Sequence, residues 1–228
     1  MGARFAIMTL LLQLLSLCLP WGLRRIVLEK FCHCELAEGS RVGLSLLLCR
    51  SVKLGRGARI GHFNLLKNLS LVELGDHAVI NNLNWITGFP KIDSPHFAAE
   101  PDRAPELLLG AHAAITNRHL IDCTNRVRIG RFTTFAGFRS QILTHTIDIV
   151  EGRQTSKPLE IGEYCFIGTD CILLGGSSLP SHSVLGAKSL LNKPHFAEFR
   201  LYGGVPAKEI AELPADAKYF HRTQGFID

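Results

Sequence analysis

Of the seven cysteines among the 228 residues, no two stand in a Cys-x-x-Cys pair, and an odd number leaves at least one thiol unmatched. A disulfide framework or a Cys-based zinc site therefore finds no support. No block of like charge occurs, the formal balance is only +5, and aromatic residues do not interleave with basic ones. That argues against a nucleic-acid partner. Apolar residues at 46% and charged residues at 20% exclude a disordered or collagen-like chain. The length suits one large domain, two small ones or a repeat array. Free, small cysteines such as Cys165 and Cys171 suit a reducing compartment, so a cytoplasmic location is expected.

No apolar run is long enough to span a bilayer. The longest, residues 5–19, reads FAIMTLLLQLLSLCL and is followed by Arg24, Arg25 and Lys30. Its Leu19-Pro20-Trp21-Gly22 junction is a poor signal-peptide cleavage site. Two readings stay open for residues 1–35: a helix packed on the end of the following domain, or a peripheral contact of residues 5–30 with the inner face of a membrane.

What is present is a repeat. From residue 36 the chain restates one phrase, as in LAEGSRVG, LGRGARIG, LGDHAVIN, LGAHAAIT, IGRFTTFA and IGEYCFIG. The period is six, and three hexads make one turn. One aliphatic column runs Leu36, Leu54, Leu74, Leu109, Ile129, Ile161, Leu179; a second runs Val42, Ile60, Ile80, Ile115, Phe135, Ile167, Leu185. The third is read as Leu48, Leu66, Ile86, Ile121, Gln141, Leu173, Leu191, with Gln141 the single polar member. Neither an α-helix nor an alternating hairpin has this period. It predicts an all-β chain, a parallel β-helix of about seven triangular coils.

The fourth residue after each aliphatic should be small where the chain turns. At the first corner it always is; at the second the column reads Leu46, Asn64, Asn84, His119, Arg139, Cys171, Ser189. Length irregularities are expected only after the third column, above all loops 87–108 and 145–160. The first of these carries four prolines between residues 90 and 105 and must leave the stack. Loops on a rigid scaffold are where chemistry is built, so the site is placed there, around the fifth coil.

The stretch LEIGEYCFIGTDCILLGGSSLPSHSVLGAKSLLNK, with YGGVPAKEI after it and LTHTID before it, resembles the hexapeptide-repeat acyltransferases of the maltose, xenobiotic and exopolysaccharide O-acetyltransferase type. The resemblance spans residues 36–210 and leaves 211–228 as a C-terminal tail. It implies a left-handed coil, a homotrimer with sites between subunits, and acetyl-CoA as co-substrate with no metal. It further implies His145 of LTHTID as general base, with Asp148 orienting it or its loop. Thr169, Ala187, Lys188, Asn192, Lys193 and Lys208 match coenzyme A contacts, although Lys188 stands where glycine is common and Gly203-Gly204-Val205-Pro206 replaces Gly-Asn-Pro.

Imidazole suits this chemistry. With an ordinary pKa of ~6.5 it can take a hydroxyl proton and return it to a leaving thiolate. Polar positions near this edge, Asn84, Trp85, His119, Asn125 and Arg139, are candidates for a saccharide-type acceptor; a stacked structural ladder of Asn64, Asn84, His119 and Arg139 is the competing reading. Two other functions remain in view: a γ-type carbonic anhydrase using His112, His119 and His145, whose spacings are unlike that family's, and a non-catalytic scaffold.

Overall fold

The computed structural model describes residues 3–91, 95–225 and 227. Two helices, α1 (Ala3–Ser16) and α2 (Trp21–Phe31), precede a parallel β-helix. Its first sheet has seven strands, from Cys34–Leu36 to Ser178–Leu179; its third also has seven, from Leu46–Leu48 to Leu190–Leu191. The second has nine, because Arg200–Gly203 adds in parallel to Val184–Leu185 and Lys208–Glu212 returns antiparallel to it. Seven triangular coils result, with the aliphatic columns buried inside.

The third column differs from expectation by one residue in two coils. Its inward members are Leu47 and Ile142, not Leu48 and Gln141, because Leu47 pairs with Leu66 and Ile121 with Ile142. The second corner is one residue short in the first coil and one long in the fifth. Gly137, at φ 68°, absorbs the extra residue; a Cβ there would lie 2.4 Å from that of Thr169. Length variation is thus not confined to the third hexad.

The same slip corrects the corner column, which runs Ser45, Asn64, Asn84, His119, Ser140, Cys171, Ser189, all buried. Ser45, Asn64, Asn84 and Ser140 each accept from a backbone amide of the next coil, while the His119 imidazole meets the Thr116 hydroxyl of its own coil at 3.0 Å. The Asn84 amide nitrogen donates to Asn64 Oδ1 at 2.8 Å, that of His119 to Asn84 Oδ1 at 2.9 Å, and that of Cys171 to Ser140 Oγ at 3.1 Å. Asn84 and His119 are therefore ladder residues that cannot face an acceptor. Arg139 lies outside the column, exposed at φ 64°, over Phe138 and 3.6 Å from Asp170.

The N-terminal end of the stack is closed by side chains from outside it. The Gln13 amide donates to the Leu47 carbonyl and accepts from the Leu47 N–H, both at 2.7 Å, and so stands in for a missing strand. The buried Arg24 guanidinium donates to the carbonyls of Val42, Gly43 and Ser45. The chain after Glu212 returns along the corner between the first and second sheets. There His77, His112, Phe132, Tyr164, His182 and Phe199 stack at centroid spacings of 4.7–5.4 Å. Arg222 lies 3.9 Å from the Tyr219 ring centroid and donates to the Phe132 carbonyl.

Burial drives the His119 imidazole down to about 4, against backbone carbonyls that favour its charged form. Its folded value lies below the unfolded ~6.5, so the stability held by the neutral ring is complete above that and drains as pH falls toward 4, by at most ~1.4 kcal/mol per unit. His119→Asn, which keeps a ladder donor and acceptor, should flatten denaturant midpoints measured between pH 7 and 4.5. An unchanged acid slope would remove His119 from that role.

Candidate active site

The site grows from the third corner, where the fifth coil leaves the stack as a hairpin of His145–Asp148 against Arg153–Ser156. Directly below its start, Asp122 follows the inward Ile121 and pairs in register with Leu143. The Asp122 carboxylate accepts from the amide and hydroxyl of Thr124, from the amide and hydroxyl of Thr144, and from the His145 amide. Its sixth donor is His145 Nδ1, at 2.8 Å. Burial works to raise the Asp122 pKa, but the bonds from Thr124, His145 and Thr144 outweigh it and hold the carboxylate below its ordinary range. A carboxylate only accepts, so Nδ1 carries the proton and Nε2 is left as the basic nitrogen. The Asp122 side chain is 13% exposed and that of His145 45%.

A cleft of about 620 Å³ opens beside the imidazole, with Thr146, Asp148, Ser156, Lys157, Gly175 and Asn192 among its walls. The proline-rich loop supplies one more wall, Glu100. Its carboxylate accepts from the Ser156 amide at 2.7 Å and from the Ser156 hydroxyl, while Asn125 Nδ2 donates to Ser156 Oγ at 3.1 Å. Phe97 from the same loop meets the His145 ring edge-on at 6.4 Å. Buried Arg103 fastens that loop, donating to the carbonyls of Phe89, Pro90 and Thr124 with its guanidinium carbon 4.6 Å from the Phe97 ring centroid.

His145, Asn125, Asp148 and Asn192 thus gather around one cleft. Asp148 does not reach the imidazole; its Oδ1 accepts from the amides of Val150 and Glu151 and shapes the hairpin tip. Thr169, Ala187 and Lys188 lie at the second corner, across the third sheet. Thr169 Oγ there donates to the Phe138 carbonyl, and the Lys188 amide to the Thr169 carbonyl. Lys193 follows Asn192, and Lys208 pairs in register with Gly203. Trp85 is exposed on the outer face of the third sheet. Asp122, Glu100, Phe97 and Arg103 escape the sequence reading. Only the true coil length shows that Asp122 lies under the start of the hairpin.

No protein-family model matches this sequence, and no curated protein matches it. Solved structures do match. An N-acyltransferase of Bacillus cereus, AntD, in complex with dTDP-4-amino-4,6-dideoxyglucose and coenzyme A, is 13% identical over 78% of this chain and 88% of that one, with a TM-score of 0.54. The UDP-N-acetylglucosamine acyltransferase of Campylobacter jejuni is 14% identical over 79% and 71%, with a TM-score of 0.53. A hexapeptide-repeat acetyltransferase of Vibrio cholerae is 17% identical over 92% of each chain, at 0.47. The fold is the left-handed parallel β-helix that hexapeptide-repeat acyltransferases share.

Gly175 underlies the cleft, and a Cβ on it would lie 2.6 Å from the Thr144 carbonyl oxygen and 2.7 Å from that of Lys157. Gly175→Ala must push the hairpin base off the stack, at ~1–3 kcal/mol. A melting temperature several degrees lower checks this, and an unchanged one would mean that the hairpin base yields freely.

Proposed function

We propose that this chain is an acetyl-CoA-dependent O-acyltransferase acting on a hydroxyl of a saccharide-type acceptor, with His145 as general base. One observation carries the reading: the imidazole is held by a partly buried carboxylate through Nδ1, leaving Nε2 to the cleft. Nε2 takes the proton of the acceptor hydroxyl as the oxygen attacks the thioester carbon, then returns it to the departing thiolate sulfur. Asp122 fixes the tautomer and stabilises the imidazolium between these steps. Asp148 acts on the loop rather than on the ring.

The remaining residues fit the polyanionic co-substrate. The cleft runs from His145 to Asn192, beside Lys193, and Lys188, Lys193 and Lys208 are exposed with no carboxylate partner among the described residues. AntD, of like fold, was solved with coenzyme A and a sugar nucleotide, which supports both substrate classes. Thr169, Ala187 and Lys188 lie a sheet's width from His145, a separation met if one subunit's second corner faces the third corner of the next in a homotrimer. The outer face of the third sheet between those corners exposes Trp85, Leu120 and Ile172, as such an interface requires. Asn125, beside the cleft, is the acceptor candidate retained. The carbonic anhydrase reading loses ground because His112 stacks at the first corner, His119 is buried at the second and His145 stands at the third.

His145→Ala should cut kcat ~10²–10⁴-fold with coenzyme A binding preserved; a purified variant keeping more than about a tenth of the activity would exclude it as base. Asp122→Asn, close to isosteric, should lower kcat more than KM and alter the pH–rate profile, whereas a purely structural Asp122 would move only the melting temperature.

Lys193→Glu and Lys208→Glu should raise KM for acetyl-CoA and leave that of the acceptor nearly unchanged, because charge reversal opposes the phosphates alone. Initial-rate kinetics with each substrate varied in turn tests this, and equal affinities would return both lysines to ordinary surface charge.

A further inference from the structure

Helix α1 is inside out. Its polar residues Thr9, Gln13 and Ser16 are 4%, 0% and 1% exposed against the β-helix, while Met8, Leu11 and Leu15 stand 55%, 54% and 72% exposed on the other side. A helix bathed in water arranges these faces the other way. α2 extends the apolar surface with Leu23 and Ile26. The inversion has a local cause, because the end of the stack needs hydrogen-bonding groups and Gln13 supplies them to Leu47. That accounts for the polar side facing in and leaves the leucines facing out.

Beside this surface is a cleft of about 490 Å³ lined by Trp21, Arg41, Arg59 and His62, with no carboxylate in its wall. Arg41 and Arg59 are register partners on adjacent strands, and neither has an acidic partner among the described residues. The other charges paired in register across the parallel sheets are of opposite sign, as in Glu35 with Lys53, Lys53 with Glu73 and Arg128 with Glu160. Two adjacent guanidinium groups repel each other. A phosphate removes that repulsion and suits the guanidinium fork, and an indole is at home where headgroups meet acyl chains.

We propose that the α1–α2 hairpin lies on the surface of an anionic lipid bilayer, its leucines in the headgroup–acyl boundary and Arg41 and Arg59 on lipid phosphates beside Trp21. The 14 residues of α1 extend about 21 Å, short of the ~30 Å hydrocarbon core, so the helix lies along the interface. A second copy is the poorer occupant. A two-fold contact through this face sets the unpaired arginines of one chain near those of the other. The proposal is independent of the acyltransferase reading.

The test is co-sedimentation of the full chain with phosphatidylcholine vesicles and with vesicles that also contain phosphatidylglycerol. Binding should require the anionic lipid and weaken with salt. Leu11→Ser with Leu15→Ser should abolish it at an unchanged melting temperature, since both side chains are already exposed. Arg41→Gln and Arg59→Gln should each weaken it roughly fivefold. Failure of the unaltered chain to sediment with anionic vesicles overturns the proposal. So does binding that survives both sets of changes, or an oligomer lost in the leucine variant when vesicles bind nothing, which would place a second copy on this face.

Discussion

Each coil must lie on an identical coil at the ~4.8 Å spacing of a parallel ladder, and at a corner the N–H groups leaving that ladder still need acceptors. The Ser45, Asn64, Asn84 and Ser140 side chains answer this need inside the second corner, each taking a backbone amide of the next coil, while His119 closes on Thr116 of its own coil. Small residues at the first corner answer it by letting backbones approach. The inward side chains of both corners are committed to the stack. The third corner differs, because there the chain leaves the ladder and its polar groups are released from that duty.

The partly buried carboxylate at that corner works in two directions. Six donors converge on Asp122, two of them from Thr124 and three from the backbone and hydroxyl that begin the hairpin, and together they tie two successive coils to one anion. The sixth, from His145, fixes the imidazole against the same anchor. Neutral donors supply most of the contacts to this charge, and the Arg103 guanidinium of the proline-rich loop adds a favourable field. An imidazole resting on it is held in one tautomer and one orientation. Glu100 then links the proline-rich loop to the hairpin through Ser156, so two excursions from different coils form one wall.

Much of this was legible in the hexads, because an inward aliphatic every six residues leaves few alternatives to a triangular coil. The two slips show where such reading fails. Leu48 and Gln141 fit a strict period, but a corner can lose or gain a residue when a backbone such as Gly137 takes up a left-handed turn, and period alone does not register it. Arg139 entered the ladder by that error, and Ser140 was left out of it. His145 was legible through its local phrase. Asp122 was not, since a partner one coil away is 23 residues distant in sequence and local patterns do not reach so far.

The ends of such a stack pose the remaining problem, for a solenoid that simply stops exposes both unpaired strands and the ends of its apolar columns. At the C-terminal end the chain continues the second sheet through Arg200–Gly203 and folds Lys208–Glu212 back upon it. At the N-terminal end the cap is a helix that spends Gln13, together with Arg24 of α2, on the open carbonyls and amides. A helix has only two sides, so a polar inner face draws the apolar residues outward unless the outer face is polar as well. Residues 5–19 hold too few polar side chains for both. The same composition that makes this segment a competent cap therefore obliges it to present leucines to whatever lies beyond the first coil.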